Sequence, residues 1–355
     1  MQFQRNVVFW LVALVALVVL LLLLKPILLP FVLGMVIAYL LDPLAKQLTK
    51  RGMSRLIAAL LILGAFVVAF TVLVLLIAPI LSRQFAAFIA HAPDYALRIQ
   101  AMVSDDNHPW IKTMVGDNLV GSDKAVSDLM NQALGYVTGF LSSLWTKGRA
   151  LISIFSLVII TPVVAFYLIC DWDRMVNSVD RLIPLPQRDT VRRLSREIDA
   201  TISSYVRGQS GVCVILGSYY AIGLTLAGLN FGLLIGVVSG LISFIPYVGS
   251  LTALVLATAV ALAQFFPDWT SIFIVVGVVL VGQFLEGNLI SPFLVGHSVG
   301  LHPVWLMFAL FAFGYLFGFV GLLLAVPLAA AAGVLIRFAI GRYLESPFYT
   351  GARSS

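Results

Sequence analysis

The chain has 355 residues, of which 61% are hydrophobic and 11% are charged, and its mean hydropathy is +1.05. Soluble domains carry about 25% charged residues. The composition therefore excludes an ordinary soluble enzyme and is typical of a multi-pass membrane protein. The net charge of +6 is modest. It does not indicate nucleic-acid binding, because the basic residues fall where membrane topology favours them.

Three apolar runs in residues 1–81 predict a transmembrane scaffold at the N-terminus. They cover 7–24, 27–41 and 56–81. The first exceeds a typical signal-peptide core and no cleavage site follows it, so we expect a retained helix. Asp42 and Pro43 come directly after the second run and are expected to end its helix.

Basic residues predict the orientation of this scaffold. Lys46, Lys50, Arg51 and Arg55 lie in the loop after the second run. Lys and Arg collect in cytoplasmic loops. We therefore expect the loop and the N-terminus in the cytoplasm, and the arginines near the C-terminus place the tail at 343–355 there as well.

Residues 82–148 are predicted to form a helical insert on the outer side of the membrane. Charged residues of both signs are interspersed with apolar ones at helical spacing, as at Phe85, Phe88 and Ile89. His91 and His108 also lie here, with no predicted partner. The insert is either a packing or partner-binding surface or a lid that captures a substrate.

Residues 149–207 predict one further span, at 151–170, followed by an amphipathic helix on the cytoplasmic side. One face of this helix is apolar, and arginines occupy the others. We expect the apolar face to pack against the membrane domain or to lie at the membrane interface. Its residues are Val191, Leu194, Ile198, Ile202 and Tyr205.

Residues 208–342 differ sharply in composition and are predicted to form a glycine-rich transport core. No Lys or Arg occurs between Arg207 and Arg337, and the only acidic residues in that interval are Asp268 and Glu286. Cys170 and Cys213 lie far apart and have no metal-ligand spacing, so we predict neither a disulfide nor a metal site. We also expect no cofactor.

A ladder of glycines in this core predicts close helix packing. Gly232, Gly236 and Gly240 are four residues apart, which lets two helices approach closely in lipid. Pro246 then breaks the run just before Tyr247, so the segment 231–245 is short for a bilayer span. A second interrupted segment lies at 305–337. Such segments are typical of transporter binding sites, but the sequence leaves open whether they are re-entrant hairpins or full spans.

A polar set follows the next apolar helix, predicted at 273–285. Gln283, Glu286 and Asn288 occupy its last two turns, and Pro292 is expected to end it. These residues either lie at a membrane edge reached by water or line a path for a polar solute or cation. The second interpretation is favoured by the absence of a basic neighbour in sequence, which an edge glutamate usually has.

Signals for enzymatic activity are weak, and we predict that the chain is not an enzyme. His297 and His302 have no ligand spacing that indicates a metal. Residues 208–211 match the G-x-S-G motif of intramembrane serine proteases, but the two histidines of the bundle, His297 and His302, are not predicted in the middle of a helix where one could act as the base. Nucleotide-binding and zinc-protease motifs are absent.

Several blocks together resemble the autoinducer-2 exporter family of bacterial permeases. They are "PFVLGMVIAYLLDPL", "DWDRM", "SYVRGQ", "GLISFIPYVGS", "QFLEGNLISPFLVGHSVGLHPVW" and "FGFVGLLLAVPLAA". The resemblance implies an all-α, multi-pass helical bundle in the bacterial inner membrane, assembled as a homo-oligomer with a mobile transport core in each subunit. Carried onto this chain, it points to Arg207, Gln209, Pro246, Tyr247, Glu286, Asn288 and Pro292.

The resulting hypothesis is a secondary transporter that exports a small polar organic solute by alternating access. Tyr247, Gln283, Glu286 and Asn288 would contribute to the path, while Pro246, Pro292 and the glycine ladder would supply helix breaks and sliding surfaces. Two alternatives remain: a sodium/proton antiporter that uses Glu286, and a non-transporting membrane scaffold. The expected partners are a small polar solute or a monovalent cation and the lipid bilayer, and no nucleic acid.

Overall fold

A computed structural model describes residues 22–104, 149–295 and 302–346, together with Ala16, Leu20 and Tyr349. Most of the predicted first span, the insert beyond residue 104 and His297 lie outside these residues. Every regular element in the described part is helical. Its α-helices are α1 (Leu28–Lys50), α2 (Arg55–Ser104), α3 (Arg149–Asp180), α4 (Arg188–Leu226), α5 (Gly232–Ile242), α6 (Val248–Phe265), α7 (Trp269–Leu285), α8 (Ser291–Leu294), α9 (Pro303–Phe317) and α10 (Phe319–Leu344).

Six helices in the described residues are long and apolar enough to cross a membrane. The chain is therefore an all-α, multi-pass membrane protein. Two apolar helices are shorter: α5 has 11 residues and α9 has 15. At 1.5 Å per residue, α5 is about 16 Å long, roughly half of the ~30 Å hydrocarbon core. It cannot cross the bilayer alone.

The prediction that Asp42 and Pro43 end the helix of the second span was wrong. Helix α1 continues through Pro43 to Lys50. Leu41 and Ala45, on either side of this pair, are buried in a core formed with α2 and α3. Their burial offsets the hydrogen bond that a proline removes from a helix.

Helix α2 shows no break at the predicted start of the outer insert. It runs without interruption for 50 residues, from Arg55 to Ser104, which corresponds to about 75 Å. The third span and the first part of the 82–148 insert are therefore one continuous helix that is much longer than the bilayer is thick.

The first of two compact units contains Met1–Val67, Ser156–Gly208 and Val295–Ser355. Arg55 makes three polar contacts within this unit. Its Nε donates to the carbonyl oxygen of Ile169 at 2.9 Å, Nη1 donates to Asp173 at 2.5 Å, and Nη2 contacts Asp42 at 3.4 Å. The predicted apolar face of α4 is half-buried or buried within this unit, and Tyr205 is 2% exposed.

The second unit contains Val68–Phe155 and Gln209–Leu294. Helix α5 packs directly on the backbone of α4 here. A Cβ atom at Gly236 would lie 2.1 Å from the backbone nitrogen of Ala221, and one at Gly240 would lie 2.2 Å from the Cα of Gly217. Such contacts confirm the predicted packing role of the ladder, because any larger residue would force the helices apart. The five-part domain division remains a prediction.

Candidate functional site

The start of α6 and the end of α7 bring three polar groups together in the second unit. Ser250 Oγ donates a hydrogen bond to Glu286 Oε2 at 2.6 Å, and Gln283 Nε2 donates to the carbonyl oxygen of Ser250 at 3.3 Å. All three residues are half-buried. Two of the four predicted path residues, Gln283 and Glu286, therefore share one site.

A π-helical turn, Glu286–Ile290, holds the carboxylate in this position. The N–H of Ser291 donates to the carbonyl oxygen of Glu286, five residues earlier. Pro292 has no N–H, and its ring would crowd the carbonyl of Asn288 in a regular α-helix. The wider turn relieves this conflict, and helical structure continues to Leu294. The prediction that Pro292 ends the helix was therefore wrong, and π turns of this kind are frequent at functional sites.

A buried tyrosine lies against the same face of α7. A Cβ atom at Gly282 would lie 2.4 Å from Cε1 and 2.8 Å from Oη of Tyr220, so only glycine admits the ring. Gly282 and Glu286 are four residues apart and share one face of the helix. Tyr220 is fully buried, its hydroxyl has no hydrogen-bond partner among the described residues, and it lies within electrostatic range of Glu286.

Further buried polar groups lie where α4 meets the end of α5. Gln209 is 5% exposed, and its Nε2 donates to the carbonyl oxygen of Ser243 at 2.5 Å. The hydroxyl of Ser243 donates to the carbonyl oxygen of Ser239, whose own hydroxyl is buried without a partner in the described part of the chain. Cys213 lies nearby on α4, within electrostatic range of Glu286. Buried polar groups of this kind are costly in lipid and usually mark a path or a site.

Glu286 has no cationic partner among the residues that the structure describes. None of the ion pairs between described residues includes it, and the sequence around it contains no Lys or Arg from 208 to 336. A half-buried carboxylate that accepts a single hydroxyl hydrogen bond retains unused acceptor capacity. It can take up a proton, a cation or a hydrogen-bond donor of a solute.

The structure does not bring the remaining predicted residues into this cluster. Tyr247 is 54% exposed and precedes α6 with a left-handed backbone (φ 68°), next to the half-buried Pro246. Asn288 is exposed and donates to the carbonyl oxygen of Phe284 in its own helix. Pro292 is exposed. Arg207, in the first unit, donates to the hydroxyl of Ser203.

Sequence reasoning missed Ser250 and Tyr220. Ser250 is the polar last residue of the block "GLISFIPYVGS", so the sequence offers a signal for it. Ser250 reaches Glu286 only because α6 packs against α7, and no local sequence pattern predicts which helices pack together. The sequence offers no signal for Tyr220, because a tyrosine in an apolar helix is ordinary. It is notable only because its hydroxyl has no hydrogen-bond partner among the described residues.

The family comparison covers nearly the whole chain. The model of the AI-2E family transporter matches residues 11–341. YrrI of Bacillus subtilis (strain 168), named a candidate transport protein, is 32% identical over 220 residues, which are 61% of this chain and 60% of YrrI. YueF of the same organism, named likewise, is 29% identical over 255 residues, 72% of this chain and 68% of YueF.

A third relative comes from a different bacterium. The candidate permease PerM of Escherichia coli (strain K12) is 31% identical over 186 residues, which are 52% of each chain. The chain thus spans between about half and two thirds of the length of these curated relatives. The family match and the helical membrane fold agree, and the chain belongs to the AI-2E transporter family.

Proposed function

We propose that this protein is a secondary transporter of the bacterial inner membrane that exports a small polar organic solute by alternating access. The observation that carries the proposal is Glu286, a half-buried carboxylate in a membrane helix that has a hydroxyl partner and, within the described part of the chain, no cation. Holding such a group in an apolar bundle is unfavourable. A structural role would be filled equally well by an apolar or amide side chain.

Neighbouring groups support a polar solute. Ser250, Gln283 and Gln209 supply hydroxyl and amide groups, and Tyr220 supplies a hydroxyl without a partner in the described residues. A solute rich in hydroxyl groups can exchange hydrogen bonds with such a set and replace its lost water. The set offers both donors and acceptors, so it suits a neutral polyol better than a strong anion.

Breaks in the helices around the cluster support movement. The π turn Glu286–Ile290 interrupts the span that carries the carboxylate. Only five residues separate the end of α5 from the start of α6, and one of them, Tyr247, has a left-handed conformation. Irregular backbone at membrane depth is tolerated where it is buried in protein or lines a cavity. These breaks are candidate hinges for a transport cycle.

A second candidate function is sodium/proton antiport. It is favoured by the oxygen content of the cluster, because the Glu286 carboxylate, the Ser250 hydroxyl and the Gln283 amide can all offer oxygen to a hard monovalent cation. In that case Glu286 would bind a proton and a cation in turn.

Flux into proteoliposomes tests both candidates with one set of variants. Glu286→Gln keeps the size of the side chain and an oxygen that accepts from Ser250, but removes the charge. We expect flux of a labelled polyol mixture to fall at least about tenfold, since a charge-assisted hydrogen bond contributes roughly 1.5–3 kcal/mol. Glu345→Gln, an exposed glutamate outside the cluster, is the matched control and should transport like the wild type.

The outcomes separate the candidates. Polyol flux that requires Glu286, without sodium-driven proton movement, supports export of a polar solute. Sodium-driven proton movement that Glu286→Gln abolishes, without polyol flux, supports antiport instead. Wild-type flux in Glu286→Gln contradicts both assignments of this residue. If the wild type moves neither solute nor protons, the scaffold alternative gains support.

A further inference from the structure

A cavity of about 440 Å³ lies in the second unit, at the far end of its helices from Glu286. Residues of α2 line one side, and the turn between α4 and α5 lines the other. Along α6, Gln264 contacts this turn and Ser250 contacts Glu286. The two residues are 14 positions apart, which corresponds to about 21 Å. The cavity is therefore separate from the candidate transport site.

The length of α2, taken with the predicted orientation, indicates that the cavity lies beyond the hydrocarbon core. Arg83 is 28 residues after Arg55 in one continuous helix, which corresponds to about 42 Å, more than the ~30 Å thickness of the core. With the predicted orientation, in which Arg55 is cytoplasmic, the cavity opens on the outer side.

Three side-chain hydrogen bonds fix the wall formed by the turn. Gln84 Oε1 accepts from the N–H of Leu234 at 2.9 Å, in the first turn of α5. Gln264 accepts from the N–H of Asn230 and donates to the carbonyl oxygen of Gly228, both at 2.8 Å. The turn is therefore held in one conformation from two sides.

Phe231 in this wall is strained. Its φ is 61°, in the left-handed region that bulky residues avoid. The ring packs edge-to-face on Phe88 at a centroid distance of 5.5 Å, and it lies 6.3 Å from the ring of Tyr95. Strain at a residue that lines a cavity is typical of a binding site, and a glycine would suffice if only the turn mattered.

Hydrogen-bond donors face this aromatic wall. Arg83 lines the cavity, is exposed, and forms no ion pair with any other described residue. Tyr95 Oη accepts from Asn230 Nδ2 at 3.3 Å, so its own proton is available to donate. The positive end of the α5 dipole adjoins the same wall. Asp94, the neighbouring acid on α2, is exposed and does not line the cavity.

We propose that this cavity binds a small organic anion with a planar ring, whose carboxylate pairs with Arg83 and whose ring lies against Phe231 and Tyr95. The volume falls in the range of small-molecule sites. Arginine is the preferred partner of a carboxylate because its planar fork can donate two parallel hydrogen bonds. His91 also lines the cavity, and its Nδ1 donates to the carbonyl oxygen of Ala87.

Equilibrium binding of labelled benzoate to the purified full-length chain in detergent tests this site. We expect saturable binding to one site per chain, and weaker binding of benzamide, the neutral analogue. Arg83→Gln should raise the Kd roughly tenfold or more. Tyr95→Phe, which removes one hydroxyl donor and keeps the ring, should raise it severalfold or more. Arg174→Gln, an exposed arginine remote in sequence from the cavity, should leave it unchanged.

Three results would overturn the proposal: benzamide binding as tightly as benzoate, Arg83→Gln binding like the wild type while remaining monodisperse, or no saturable benzoate binding. Glu286→Gln separates this site from the proposed transport function. It should bind benzoate like the wild type even where its flux is lost, so failure of one proposal does not imply failure of the other.

Discussion

The two units of the molecule stabilise their polar groups by different means. In the first, carboxylates are paired: Asp42 and Asp173 with Arg55, and Asp180 with Arg192. In the second, helices meet backbone to backbone at glycines, and Glu286 is paired with a serine hydroxyl and with no cation among the described residues. A paired charge is explained by the structure around it, whereas an unpaired one in an apolar bundle points to function. Charge removal should therefore cost stability in the first unit and activity in the second.

The largest expected effect is on the glycine ladder of the second unit. Gly236→Ala should destabilise the protein by at least about 3 kcal/mol, because its Cβ would overlap the backbone of α4. Gly277→Ala is the matched control. A Cβ there meets nothing within 4 Å, so its stability should stay within ~1 kcal/mol of the wild type. Thermal unfolding in detergent measures both, and equal melting temperatures would remove the distinction between the two glycines.

A smaller effect is expected at the paired charges of the first unit. Arg55→Ala should destabilise by about 1–3 kcal/mol, because it leaves the carbonyl oxygen of Ile169 and the carboxylate of Asp173 without their donor, while Asp42 keeps its ion pair with Lys46. Arg193→Ala, at an exposed arginine of α4, should change stability by less than ~0.5 kcal/mol. Tryptophan fluorescence during thermal unfolding reports each variant.

Glu286→Gln in the same assay tests whether this carboxylate contributes to stability as the paired charges of the first unit do. Its melting temperature should equal or exceed that of the wild type, since a half-buried charge is removed and the hydrogen bond from Ser250 is kept. A loss of stability as large as that of Arg55→Ala would mean that Glu286 is a structural residue as well.

The smallest effect concerns the pH dependence of one ion pair. Arg192 donates two hydrogen bonds to Asp180, at 2.7 and 2.6 Å, and holds the pKa of that carboxyl below its usual range. The unfolded carboxyl titrates near ~3.9, so the pair contributes stability above about pH 4 and loses it as the pH falls through the lower folded pKa.

The measurement is the difference in melting temperature between the wild type and Asp180→Asn. We expect the wild type to melt higher at pH 7 and the difference to shrink below about pH 4. A difference that stays constant or grows in acid would show that the ion pair is not its source.

The sequence predicts much of this fold, and its failures have physical causes. Apolar length places the spans, and the four-residue glycine spacing predicts the packing of α5 on α4. The predicted helix ends at Pro43 and Pro292 were wrong, because tertiary burial beside Pro43 and the π turn before Pro292 offset the local cost of a proline. Gln283 and Glu286 stood out as polar residues in apolar sequence. Ser250 belongs to the site only because α6 packs against α7, and local periodicity does not predict which helices pack together.

The π turn at Glu286–Ile290 closes its hydrogen bond over five residues, which is one residue more than a turn of α-helix. Each residue of an α-helix advances the chain by 1.5 Å and turns it by about 100°. Converting this turn to α geometry would therefore shift the helical register of the residues after Glu286 by one position. Ser291, Pro292 and Phe293 would then face new directions, and the Pro292 ring would again crowd the carbonyl of Asn288, which opposes the conversion. The span contains a built-in register step, located beside the carboxylate.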